Sequence, residues 1–287
     1  MERSTSGWIN GMIGILIFSA SLPATRVAVQ AFEPVFLTAS RAAVAGLLGL
    51  VLLVIFREKR PSVRDVGSLV VVALGVVIGF PLLTAIALQH ITSAHSIVFI
   101  GLLPLATAIF GVVRAGERPK PAFWIFSVLG SMLVSGFALA QSGAASSYGA
   151  ALMLASVIVC GLAYAEGARL SRTLGGWQVI CWALVISLPL MLPLTVATWP
   201  ETLAGISAPA WLSFAYVSLF SMLIGFLFWY RGLSQGGIAF VGQLQLLQPF
   251  FGLALAAVLL REPVTPLMLF VTVAVIGCVV GTKRFGR

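Results

Sequence analysis

The sequence predicts an all-α integral membrane protein of ten transmembrane helices, arranged as two inverted five-helix repeats. Three observations lead there. Of 287 residues, 60% are hydrophobic and only 9% charged, where a soluble domain carries about 25% charged residues; the mean hydropathy is +1.09. Ten apolar runs fill the chain, each of the roughly 20 residues needed to cross a bilayer. A pattern of residues in the first half then returns in the second with the same spacing.

The runs can be taken in order. The first, at about 7–26, is long for a signal peptide, and Glu2 offsets Arg3 ahead of it, so cleavage is not expected. The second and third, at about 34–56 and 66–88, flank a polar connector with Arg60-Pro61-Ser62. The fourth, at about 93–113, stops at Gly116-Glu117-Arg118-Pro119, and Pro121 opens the fifth, at about 121–140. Gln141-Ser142-Gly143-Ala144 is a turn, so the chain divides into repeats at 1–142 and 143–287. The remaining runs, at about 147–167, 177–198, 209–230, 237–260 and 265–282, complete the second repeat. The connectors leave no room for a soluble domain.

The formal net charge of +9 does not indicate nucleic acid, because the 17 basic residues form no single patch. With the N-terminus placed inside, 14 of them fall on the cytoplasmic side, from Arg3 through the Arg57–Arg64 and Arg114–Lys120 connectors to Arg287. Only Arg26 and Arg261 fall outside, and Arg41 lies within the second run. Cytoplasmic connectors carry the excess of Lys and Arg, so both termini are expected in the cytoplasm. Cys160, Cys181 and Cys278 all sit in apolar runs without a metal-ligand spacing. No metal, cofactor or disulfide is expected.

The repeat is specific. Ile78-Gly79-Phe80 in the third run recurs as Ile224-Gly225-Phe226 in the eighth. Seventeen residues separate Ala87 from Pro104, and Gly232 from Pro249. Each of those prolines precedes a glutamate by thirteen residues, Glu117 and Glu262, and each glutamate precedes a helix-opening proline by four, Pro121 and Pro266. Five is odd, so the second half enters the membrane from the opposite side, which places a cavity at the midplane between the halves.

These residues also carry a resemblance. Pro34 with Arg41, the run Ala87-Leu88-Gln89-His90-Ile91-Thr92-Ser93-Ala94 followed by Pro104 and Gly116-Glu117-Arg118, and its echo at Gly232-Leu233, Pro249 and Arg261-Glu262-Pro263 resemble the drug/metabolite transporter superfamily, EamA type. Within it the chain is most similar to YddG-type exporters of aromatic and other amino acids. The resemblance implies alternating access around a central cavity, export of small metabolites and a bacterial inner-membrane location. The sequence departs from the family at Phe240, where small residues are usual.

Polar groups in hydrocarbon are costly and face a bundle interior or a wet cavity. Gln245 and Gln248 lie near the midplane of the ninth run, three residues apart on one face. They either bind a substrate's polar head or hydrogen-bond between helices. Ser221 and Trp229 share a stripe of the eighth run that either lines the cavity or packs closely, and Phe18 and Ser21 share one on the first. Arg41 either attracts a carboxylate or ties a helix end. Phe80, Phe99 and Tyr164 form an apolar binding surface or pack the core. His95 is a gating or coupling residue, or a boundary histidine.

Eight acidic residues are present and none falls clearly at the midplane, so strong proton coupling is not expected. An intramembrane enzyme would need a serine–histidine or paired-aspartate site at depth, which the runs lack. A channel would need rings of carbonyls or charges, which are not visible. The expected activity is transport of a small amphipathic solute such as an amino acid, by a monomer surrounded by lipid.

Overall fold

A computed structural model describes residues 2–91, 96, 99–141, 146–252 and 266–285. Among the described residues the chain is helical, with no strand. In chain order the helices are α1 (Glu2–Ser19), α2 (Ser21–Ala28), α3 (Pro34–Ile55), α4 (Val63–Val72), α5 (Phe80–His90), α6 (Leu103–Ala115) and α7 (Pro121–Gln141). They continue with α8 (Ser147–Leu170), α9 (Gly176–Ala197), α10 (Ala208–Tyr216), α11 (Gly225–Gly236), α12 (Ile238–Gly242) and α13 (Pro266–Phe285). Among the described residues six segments are long and apolar enough to cross a membrane, among them Thr5–Ala28, Val63–His90 and Ala208–Gly236; Leu103–Ala115 and Pro121–Phe137 are shorter apolar helices. The molecule is a multi-pass membrane protein.

Proline and short polar side chains set the boundaries. Pro34 opens α3, where its missing N–H costs nothing, and the Glu33 carboxylate accepts hydrogen bonds from the N–H groups of Val35 and Phe36, both at 2.9 Å. Ser62 leads into α4, its hydroxyl donating to Asp65 at 2.6 Å. The Ser146 hydroxyl accepts from the Gly149 N–H at the start of α8. Gly116 ends α6 in the left-handed conformation, φ 66°, which a side chain would disfavour.

Three long segments are interrupted. Ala20 breaks α1 from α2, so the carbonyls of Ile17 and Phe18 are open to side-chain donors. A π-helical stretch, Ala73–Gly79, joins α4 to α5, and another, Val217–Ile224, joins α10 to α11. Pro81 accounts for the first, because it has no N–H for the Val77 carbonyl. Nothing comparable accounts for the second. After α12 the chain tightens into a 3₁₀ turn, Gln243–Leu247.

Packing is closest where side chains are smallest. The backbones of α1 and α11 touch: a Cβ on Gly232 would lie 2.5 Å from the Gly11 nitrogen, and one on Gly7 would lie 2.5 Å from the Gly236 nitrogen. α8 lies against α5 and α6, α9 against α3, and α13 against α7. Trp229 and Tyr230 are fully buried at the centre of the main core cluster.

Candidate functional site

The three interruptions meet at one place. A cavity with about 610 Å³ of empty space lies between α1–α2, α3, α5, α6, α8, the second π-helical stretch with α11, and the segment after the 3₁₀ turn. That volume is within the range of small-molecule sites. Seven of the ten residues expected from the sequence to contact substrate line it: Phe18, Ser21, Arg41, Phe80, Tyr164, Ser221 and Gln248.

Their positions follow from the local breaks. The Gln248 amide donates to the freed Phe18 carbonyl at 3.2 Å, and the Tyr216 hydroxyl donates to that of Ile17. Ser21, at the start of α2, donates to Ser221 at 2.9 Å, and Arg41 Nη2 donates to the same Ser221 oxygen at 3.3 Å. Ser221 sits within the second π-helical stretch and Phe80 directly after the first. Thr84 Oγ1 and Arg41 Nε are buried without a hydrogen-bond partner beside this space.

Three expected contacts stand elsewhere. Gln245 is 1% exposed and reaches sideways, donating to the Gly242 carbonyl at 3.1 Å and toward the Thr107 hydroxyl at 3.5 Å. Trp229 forms the layer behind the lining, with ring centroids 5.6 Å from Tyr164 and 6.3 Å from Phe18. Phe99 packs against both large core clusters. His95 and Glu262 lie outside the described residues.

Other lining residues escaped the sequence reading, among them Thr25, Thr84 and Phe226. Helical spacing was the available signal, since each lies four residues past a lining residue, namely Ser21, Phe80 and Met222.

Aromatic rings close the cavity on one side. Phe226 lies 5.1 Å from Phe18, 5.9 Å from Tyr164 and 5.3 Å from Tyr230, centroid to centroid. Beyond this floor lies a group of charges. The buried Glu166 pairs with Arg114 at 2.9 Å and Arg169 at 2.6 Å. Gly116 turns the chain so that Glu117 pairs with Arg172 at 3.0 Å and accepts from the N–H groups of Ile238 and Ala239, both at 2.7 Å. A wider depression at this end is lined by Leu52, Phe56, Arg172, Trp177, Leu227 and Arg231.

A membrane-embedded helical bundle with a largely neutral cavity at its centre defines a transporter of small molecules. The chain belongs to the EamA-like transporter family, whose pattern it matches twice, over residues 5–136 and 147–282. It is 67% identical, over the full length of both chains, to the uncharacterized transporter YdeK of Bacillus subtilis (strain 168). It is 24% identical over 94% of its length, and 90% of the relative's, to a "probable terminal-alkyne amino-acid exporter" of Streptantibioticus cattleyicolor. A crystal structure 19% identical in sequence superposes with a TM-score of 0.78 over 98% of this chain and 99% of its own, a likeness of fold. Membership of a transporter family sets aside the intramembrane enzyme.

Proposed function

We propose that the protein exports small amphipathic metabolites, amino acids foremost, by alternating access between two inverted five-helix halves in a bacterial inner membrane. The carrying observation is the cavity lining: neutral hydrogen-bonding groups and aromatic faces around a single cation, Arg41. An amphipathic solute with one carboxylate matches it, whereas a multiply charged solute would need several buried cations. The relative named as an amino-acid exporter supports the same class.

The pattern of helix contacts supports the two halves. If each segment is matched with the one five places later, α1–α2 corresponds to α8, and α4–α5 to α10–α11. The pairing of α1 with α11 then has its counterpart in α8 against α4–α5. Helices that correspond to one another, α3 with α9 and α7 with α13, pack together, as they would on a pseudo-two-fold axis. Both π-helical stretches fall in corresponding segments, beside the repeated Ile-Gly-Phe.

In this reading Ser221, Ser21, Gln248, Phe18, Phe80, Tyr164 and Arg41 contact the substrate. The aromatic floor and the ion pairs beyond it close the cytoplasmic side, with both termini cytoplasmic. The test is uptake of labelled phenylalanine, threonine and a nucleotide sugar into liposomes holding the purified protein. The expected result is saturable amino-acid uptake, indifferent to a pH gradient and reduced about tenfold or more in Gln248→Leu. If no amino acid moves, the amino-acid reading fails; if a pH gradient steeply drives uptake, the uncoupled mechanism fails.

A further inference from the structure

We infer that the cavity recognises its substrate by the carboxylate alone, so that monocarboxylates lacking an amino group are substrates at least as good as amino acids. The inference rests on reading this cavity as the substrate site. Arg41 is only 6% exposed, yet no Asp or Glu lines the cavity or pairs with it among the described residues. The acids nearest in kind are engaged elsewhere, Glu33 with the first N–H groups of α3 and Glu166 with Arg114 and Arg169. A guanidinium has five N–H donors in a fixed fork. Here Nη2 donates to Ser221 and Nε has no partner. A cation in hydrocarbon with its donors unspent is strongly unfavourable unless an anion completes it.

The groups around Arg41 are arranged as donors. Ser221 Oγ accepts from both Ser21 and Arg41, so its own proton is free to be given away. The Thr84 hydroxyl is buried and unpartnered on the same lining. An ionised carboxylate is an acceptor only, with about four lone-pair sites, and takes such a set in full. An α-ammonium finds no matching group: the lining has no carboxylate, and the Phe18 carbonyl already accepts from Gln248. The aromatic rings of Phe18, Phe80 and Phe226 serve the apolar part of the solute. The amino group is therefore a bystander, and a bare amine is rejected by the charge of Arg41.

The experiment compares phenylalanine, 3-phenylpropanoate and phenethylamine, which share one ring and differ in their charged groups. Each is tested for protection of the purified protein against thermal unfolding and for competition with uptake in proteoliposomes. The expected order is 3-phenylpropanoate equal to or better than phenylalanine, with no effect of phenethylamine. Arg41→Gln should weaken 3-phenylpropanoate about 30-fold or more, the usual loss for one member of a buried charge pair, with partial return in Arg41→Lys. The ligand series on the unaltered protein decides the matter even if those variants fold poorly. Protection by phenethylamine matching that by the acid would overturn the inference, as would unchanged acid binding in a folded Arg41→Gln. Phenylalanine transport without binding of 3-phenylpropanoate would sink this inference and leave the amino-acid reading standing; acid binding without any amino-acid transport would do the reverse.

Discussion

The two ends of the bundle are held shut by different physics. At the end marked by basic connectors, every ion pair among the described residues gathers within a small region: Glu166 with Arg114 and Arg169, and Glu117 with Arg172. There α1 and α11 also touch backbone to backbone. At the opposite end the contacts are apolar rings, with Phe32 5.2 Å from Trp211 and 5.6 Å from Phe214, and Phe36 5.7 Å from Trp199. One neutral tie joins that end, from Arg26 to the Leu88 carbonyl. Directional bonds and a tight crossing hold one geometry, while rings slide past one another at small cost. The charged end is thus the firm latch of this conformation and the aromatic end the compliant one.

Substitutions can break this contrast. The largest effect is expected from Gly232→Val, which drives a side chain into the Gly11 backbone where neither helix can yield; a loss of about 3 kcal/mol, read as a fall in unfolding temperature, is expected. A wild-type transition would show that the crossing is not rigid. Glu117→Ala removes the acceptor for two N–H groups at 2.7 Å and frees Arg172. It should cost about 2 kcal/mol and raise the labelling rate of a cysteine placed at Ser171, which lines the adjoining depression. Arg26→Met at the compliant end removes one partly buried hydrogen bond, worth about 1 kcal/mol, and should leave that labelling unchanged. The smallest effect is expected from salt. The arginine partners are 41–45% exposed, so 1 M salt, which shortens screening to about 3 Å, should speed labelling at Ser171 less than Glu117→Ala does. A larger response to salt than to the substitution would place the latch in the ion pairs rather than in the helix-end bonds.

Much of this was legible in the residues. Pro34, Pro121 and Pro266 begin helices because proline fits a first turn. Ser21, Arg41, Ser221 and Gln248 stood out as polar groups in hydrocarbon, and all four reach the cavity. Gln245 shows the limit. Periodicity says which residues share a face, but not that a side chain 1% exposed would turn toward Thr107 on a neighbouring helix. Trp229 shared the stripe of Ser221 but lies two turns farther along, behind the lining. The partners of Glu117 lie more than 120 residues away, and no local pattern announces such a bond. The π-helical stretch at Val217–Ile224 carries no proline or other marker.

Those π-helical stretches have a bearing on how the chain tolerates insertion and deletion. A wide turn is a residue stored in a helix without a loop to hold it. Removing one residue from Ala73–Gly79 would let that turn relax to ordinary winding and rotate α5 by about 100°. Phe80, Pro81 and Thr84 would swing off the lining together, while the connectors at both ends kept their places. A single codon lost there would re-face one wall of the binding chamber, a change of specificity that no point substitution at the wall itself reproduces.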